Sequence, residues 1–372
     1  MKRNVLIAVF ALGAAVVSAA PLSPGGLAVL QVGDGSATLG SASTALFIRE
    51  FTTAGLPIQT LTVPTSGGSE ITLSGSASSE GALTLSSDGT LLTFGGYATA
   101  PGTASVAGTA ASAVNRAVGV INASGVVSRV ATGSSTALDA NNPRGAVSDG
   151  QNYWFSGTGS GTGQANGGIW YSAGGGAPVQ VRGGNLRVAN IFNGNLYFSS
   201  SASSPGVGLH SFSGLPTGSA SSSLFFAITG GTPSPYDFAL SPSGTFAYVA
   251  DDRSAVNGNG GIQRWNLNAG SWTLAYTLEP GNTANDGVRQ IAVDFSQANP
   301  VIYATTDEAS GNRLVAVTDA GAGSPFSLLA TAGANTVFRG VDFTPVPEPS
   351  ALALAGLAAM IVCTARRLRN KG

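Results

Sequence analysis

Residues 236–251 read YDFALSPSGTFAYVAD. An alternating apolar run enters a Ser-Pro-Ser-Gly turn, and a β-branched and aromatic run leaves it. This is the sequence form of a β-hairpin, with turn residues that adopt positive φ or pre-set the bend. The unit recurs as ALTLSSDGTLLTFGG (82–96), RGAVSDGQNYWFSG (144–157) and LRVANIFNGNLYFSSS (186–201). A fifth copy, RQIAVDF (289–295) then VIYATTD (301–307), puts Asn299-Pro300 at its turn. Each copy is followed by a Gly-rich loop and two more runs, such as GGIQRWNLNAG (260–270) and WTLAYTLEPG (272–281). Four successive antiparallel strands make the blade of a propeller.

The ends of this region complete the pattern. FRGVDF (338–343) reads as a first strand with no second after it, while 27–35, 43–55 and 57–64 read as strands two, three and four. Joined, they form one blade and leave the ring without an exposed edge. The expected fold is therefore an all-β, six-bladed propeller over residues 20–345. A seventh blade would have to come from 65–80 or 97–115, which read as loops. A β-helix or a sandwich could use the same strands. Disorder is disfavoured by the regular alternation and by Trp154, Trp170, Trp265 and Trp272 within the runs.

Composition agrees with many short strands and tight turns. Charged residues make up 9% of the chain and glycine numbers 53 of 372 residues. The basic residues cluster at the ends, leaving eleven between, all arginine, against seventeen acidic ones. The central region is thus acidic and carries no basic patch for nucleic acid. The sole cysteine, Cys363, lies near the C-terminus, which excludes a disulfide framework or a cysteine metal site in the ring.

Residues 1–19 have the three parts of a secretory signal. Lys2 and Arg3 precede the apolar run Val5 to Val17, and Val17 and Ala19 occupy the small-residue positions of a cleavage site. Residues 346–372 form a second address. Val346-Pro347-Glu348-Pro349 is followed by an uncharged helix candidate (350–364) and a basic end (365–372) with Arg366, Arg367, Arg369 and Lys371. The fourteen uncharged residues 351–364 rise about 21 Å as a helix, short of the roughly 30 Å hydrocarbon core. Arginine stems can snorkel and extend that reach, and the basic cluster belongs on the cytoplasmic side.

The order of proline motif, short apolar helix and arginine-rich end resembles the PEP-CTERM sorting signal of Gram-negative bacteria. The resemblance covers residues 346–372 only. It implies signal peptidase at the N-terminus and an exosortase-like inner-membrane enzyme at the motif. It also implies a transient inner-membrane stage and delivery to the cell surface or extracellular matrix, in the company of exopolysaccharide. The alternative is a permanent C-terminal anchor.

Chemistry is harder to read. Arg144, Arg187, Arg289 and Arg339 fall near the starts of four first strands, where a ring would gather them at one mouth. Forked guanidiniums there suit carboxylates, sulfate or acidic sugars. The competing reading gives each arginine to carbonyls or acids between blades. Asp251, Asp252, Asn257 and Asn259 put four oxygen side chains in one loop, a candidate calcium loop that departs from the EF-hand pattern. No other cofactor is expected. The only histidine, His210, lies in a strand run without an acid nearby in sequence. Gly-Ser strings such as 159–161 lack the strand-to-helix elbow of a hydrolase. The expectation is a non-enzymatic surface or matrix protein with the propeller as a binding platform. The alternative is a secreted propeller hydrolase or lyase acting on a sugar or lactone.

Mass spectrometry of the mature protein is expected to show loss of residues 1–19 and of the segment after Pro349. A full-length C-terminus in vivo would contradict the sorting reading.

Overall fold

The computed structural model describes residues 20–254, 260–281 and 287–347. Six four-stranded antiparallel sheets are arranged as blades of a β-propeller. Blade one joins Val337–Phe343, innermost, to Leu27–Val32, Leu46–Phe51 and Pro57–Thr62. Blade two runs from Thr84–Leu85 outward to Val127–Val130, and blade three from Pro143–Ser148 to Val179–Arg182. Blades four, five and six start at Ala189–Phe192, Pro235–Leu240 and Val288–Asp294. Each innermost strand contacts the next around the ring, including blade one against blades two and six. The six-bladed reading and its closure by both ends hold, and no seventh blade is formed among the described residues. The candidate regions for a seventh blade contribute a small pairing of Ser43–Thr44 with Leu73–Ser74 and a single 3-10 turn, Val106–Gly108.

The hairpin turns behave as their residues dictate. Asn193 and Gly194 both take positive φ (47° and 72°), the backbone that a two-residue hairpin turn requires.

The core is divided into wedges between blades. In Leu27–Val32, Leu27 and Val29 pack toward blade six while Ala28, Leu30 and Val32 pack toward blade two. Successive side chains on a strand point to opposite faces. Because both faces of every blade are covered, the inner strands need apolar residues at almost every position. Similar clusters lie between blades two and three, three and four, four and five, and five and six.

Polar bonds pin the same junctions. At four of them a second-strand hydroxyl donates to a carbonyl on, or for Arg187 two residues before, the next blade's innermost strand. Thr93 donates to Ala146 (2.9 Å) and Thr305 to Arg339 (2.7 Å), and Ser156 and Ser199 donate to Arg187 and Tyr236. The other two junctions use buried carboxyls. Asp237 of blade five accepts from the Ile291 amide of blade six at 3.1 Å, and Asp342 of blade one accepts from the Leu85 amide of blade two at 2.6 Å.

Among the described residues no helix is long and apolar enough to cross a membrane. Residues 1–19 and 348–372, which hold Val17, Ala19, Glu348, Pro349, the apolar run and the basic end, lie outside the described residues.

Closure of the ring depends on a close approach. A Cβ on Gly340 would lie 2.4 Å from the Leu83 nitrogen and 2.5 Å from the Gly81 oxygen, both backbone. Gly340→Ala is therefore expected to destabilise the ring by about 1–3 kcal/mol, an overpacking cost. Chemical denaturation measures it, and an unchanged midpoint would contradict this packing.

Candidate functional site at the axial mouth

The innermost strands all begin at one end of the axis, so their first residues meet there. Ser156, Ser199 and Thr305 hold the carbonyls of Arg187, Tyr236 and Arg339, which fixes the backbone from which these mouth side chains project. Asn312 adds a second hold on the last strand, bonding both the carbonyl and the amide of Phe338 (2.7 and 2.8 Å).

Tyr236 is the centre of the arginine arrangement. The Arg187 guanidinium lies 4.1 Å from its ring centroid and the Arg289 guanidinium 5.6 Å. Both arginines also reach Asp252, at 3.7 and 3.2 Å, and Arg289 approaches Asp307 at 3.7 Å. Arg187 further donates to the Ser234 and Pro235 carbonyls. These two arginines are brought together and are paired with acids.

Arg144 and Arg339 are different. Arg144 donates to the Asn185 side chain (2.7 Å) and the Leu186 carbonyl (3.2 Å). Arg339 donates to the Gly75 carbonyl at 3.3 Å and is 8% exposed. Among the described residues neither has a carboxylate within salt-bridge distance, and the Nε of each has no hydrogen-bond partner. Burial, with Arg289 nearby, lowers Arg339 to about 10, so it stays charged at neutral pH.

A narrow recess opens beside Arg339, lined by Arg289, Glu308, Asn312, Tyr236 and the segment Ser78, Ser79 and Glu80. That segment comes from the long connection between blades one and two. Glu80 is 3% exposed and accepts bonds from the Tyr97 hydroxyl (2.5 Å), the Asn142 amide (2.6 Å) and the Ser74 backbone N–H (2.7 Å). Burial nevertheless raises its carboxyl to about 7. Burial also lifts Asp307 to about 6. Glu308 accepts from Arg313 at 2.6 Å through Oε1, while its Oε2 is buried and unpartnered. The unpartnered Arg339 Nε and Glu308 Oε2 thus belong to two residues that line this recess.

The candidate calcium loop is arranged otherwise. Asp251 is fully buried against Arg253 (2.9 Å), and Asp252 belongs to the arginine pair. Asn257 and Asn259 lie outside the described residues. Among the described residues no three metal-ligating acids, histidines or cysteines group together. His210 is 2% exposed and stacks on Phe198 with centroids 5.1 Å apart, a packing role in blade four.

Sequence reasoning missed Tyr236, Glu80 and Asp307. Each comes from a different stretch of chain, and only ring closure brings them together.

No protein-family model and no curated protein sequence matches the chain. Solved structures do resemble it. A chain of a nidogen–laminin complex aligns with TM-score 0.53 at 11% identity, covering 87% of this chain and 99% of its own length. A provisionally assigned 6-phosphogluconolactonase of Bacteroides uniformis aligns with TM-score 0.47 at 11% identity over 82% of both chains. A periplasmic gluconolactonase of Pseudomonas aeruginosa aligns with TM-score 0.42 at 14% identity over 82% of this chain and 83% of its own. At such identities the likeness establishes the propeller fold. It also corrects the expectation of a non-enzymatic protein: two of these neighbours carry the names of enzymes, so the fold gives no ground for excluding catalysis. The physical reason the sequence misled is that a propeller assembles an axial site from several blades, leaving no local motif.

Three carboxyls in the ring, Glu80, Asp237 and Asp342, are each raised to about 7 by burial. An acid raised in the fold binds its proton more tightly folded than unfolded. Its stabilising contribution is complete below the unfolded pKa near 4 and is lost as pH rises through about 7. The melting temperature is expected to fall between pH 5 and pH 8, and the fall should shrink in Glu80→Gln. An equal slope in that variant would contradict the assignment.

Proposed function

We propose that this is an exported propeller whose arginine-lined mouth is the substrate site for a sugar or sugar lactone, with hydrolysis as its chemistry. One observation carries the reading. Tyr236, Arg289, Arg339 and the titratable Glu80 line one recess at the axis, where the Arg339 Nε and the Glu308 Oε2 have no hydrogen-bond partner among the described residues. Opening a lactone adds water across the ring ester. A proton leaves the attacking water, negative charge builds on the carbonyl oxygen, and a proton reaches the departing ring oxygen. Arg289 and Arg339 are placed to stabilise that oxyanion. Glu80, with a carboxyl near neutrality, suits the proton exchange. The names of the lactonase neighbours agree with this class without arguing for it.

The addresses at the two ends support export. Within the described residues, the Thr344 hydroxyl donates to the Ser23 carbonyl (2.6 Å) and the Gly26 amide donates to the Thr344 hydroxyl (3.0 Å). The Val346 amide bonds the Gly89 carbonyl at 2.9 Å. Both ends therefore leave the ring where the innermost strands finish, on the side away from the arginines. A tail held at the membrane would leave the mouth facing outward, toward matrix sugars.

The full chain is expected to release acid from sugar lactones faster than spontaneous hydrolysis, followed by titration at constant pH. Glu80→Gln should lower kcat by about 100-fold or more. Release at the spontaneous rate by the unaltered protein across a panel of sugar lactones would overturn the proposal.

A further inference from the structure

We infer that Tyr97 is the positioning residue of Glu80: its hydroxyl occupies Oε1 of the carboxyl and leaves Oε2 as the atom that takes up and gives back the proton. This rests on the reading of Glu80 as the proton-exchanging group and states what regulates it.

The chain grips this one carboxyl from three sides. Tyr97 ends the second strand of blade two (Leu91–Tyr97) and is fully buried. Its backbone pairs in both directions with Thr72, through bonds of 2.9 and 3.0 Å. The segment that brings the Ser74 amide to Glu80 is therefore tied to the same tyrosine. Asn142, just before the first strand of blade three, supplies the third donor. The Tyr97 hydroxyl and the Asn142 amide both donate to Oε1, at 2.5 and 2.6 Å. Among the described residues Oε2 accepts only from Ser74, at 2.7 Å. A carboxylate oxygen offers about two acceptor sites. Oε1 is thus filled, and the remaining site on a group that lines the recess belongs to Oε2.

Arg116 strengthens the tyrosine as a donor. Its guanidinium lies 5.0 Å from the Tyr97 ring centroid, and the side chain is 1% exposed. It is held in place by the carbonyls of Ala107, Thr109, Val114 and Asn141. A cation beside the ring draws charge from the phenol and polarises the hydroxyl toward its acceptor. The charged groups that act on Glu80 are Arg339 of blade one, Arg116 of blade two and Arg144 of blade three, and all three favour the carboxylate. Burial raises the carboxyl to about 7, and the Tyr97 hydrogen bond leads the contacts that hold it down. A donor bonds the carboxylate more strongly than the neutral acid, so losing it lets the titration climb.

Carbon-13 NMR of the full chain with labelled glutamate follows this carboxyl directly, its signal assigned by the loss in Glu80→Gln. In Tyr97→Phe, which keeps the ring, the Glu80 midpoint is expected to move from about 7 to about 8, the effect of one lost hydrogen bond to a charged group. A second arm keeps the packing: 3-fluorotyrosine, a more acidic phenol, supplied in place of tyrosine should lower the same midpoint, and should not do so in Tyr97→Phe. An unmoved midpoint overturns the inference, and the fluorotyrosine arm decides the matter even if Tyr97→Phe fails to fold. If the midpoint moves and no lactone is hydrolysed, Tyr97 still positions Glu80 and the hydrolase reading falls. If lactones are hydrolysed and the midpoint stays, that reading stands and this inference falls.

Discussion

A hydroxyl on the second strand of one blade, donated to a carbonyl on the first strand of the next, is the contact on which the mouth depends. Apolar wedges hold neighbouring blades together, but apolar contact has no direction and would tolerate sliding. The hydroxyl bond sets the offset. Its acceptors include the carbonyls of Arg187, Tyr236 and Arg339, so the interaction that registers one blade on another also places the side chains at the axis. Where the second strand of blade five has Ala250 in the corresponding place, an aspartate on the first strand supplies the junction bond instead. The ring thus meets one requirement, a directional bond at each junction, in two chemical ways.

The strands were legible because both faces of every blade are buried. That condition forces long apolar runs, and the Asp-Gly, Asn-Gly and Ser-Gly turns punctuate them. The closing blade was legible for the same reason: FRGVDF (338–343) has the apolar pattern of a first strand and no hairpin partner after it. The site was legible only in its arginines, which stand out in a chain so poor in charge. Glu80 was hidden because it lies in a connection that the strand pattern passes over. Asp307 reads as the last residue of the run VIYATTD (301–307), and Tyr236 as one more aromatic in a strand. Asp237 and Asp342 left a trace that could have been noticed. Each sits before a phenylalanine in an otherwise apolar first strand, YDF and VDF, where a charged residue needs a reason.

The two ends of the axis therefore treat charge differently. At the mouth, arginines outnumber the acids free to answer them. Deeper along the same strands, Asp237 and Asp342 are buried with backbone amides as partners, and burial raises both carboxyls to about 7. Each acid there serves the neighbouring strand. Cations concentrated at one end and amide-bound acids at the other give the axis a polarity that runs with the strands.

The innermost strand of blade one is the last to be made, long after its three partners at residues 27–62. A growing chain can therefore stack five complete blades while the first still lacks its inner edge. Arg339 and Gly340 arrive together on that final strand, so the recess comes into being at the moment the ring locks. A partly synthesised chain that still lacks Arg339 has no complete recess.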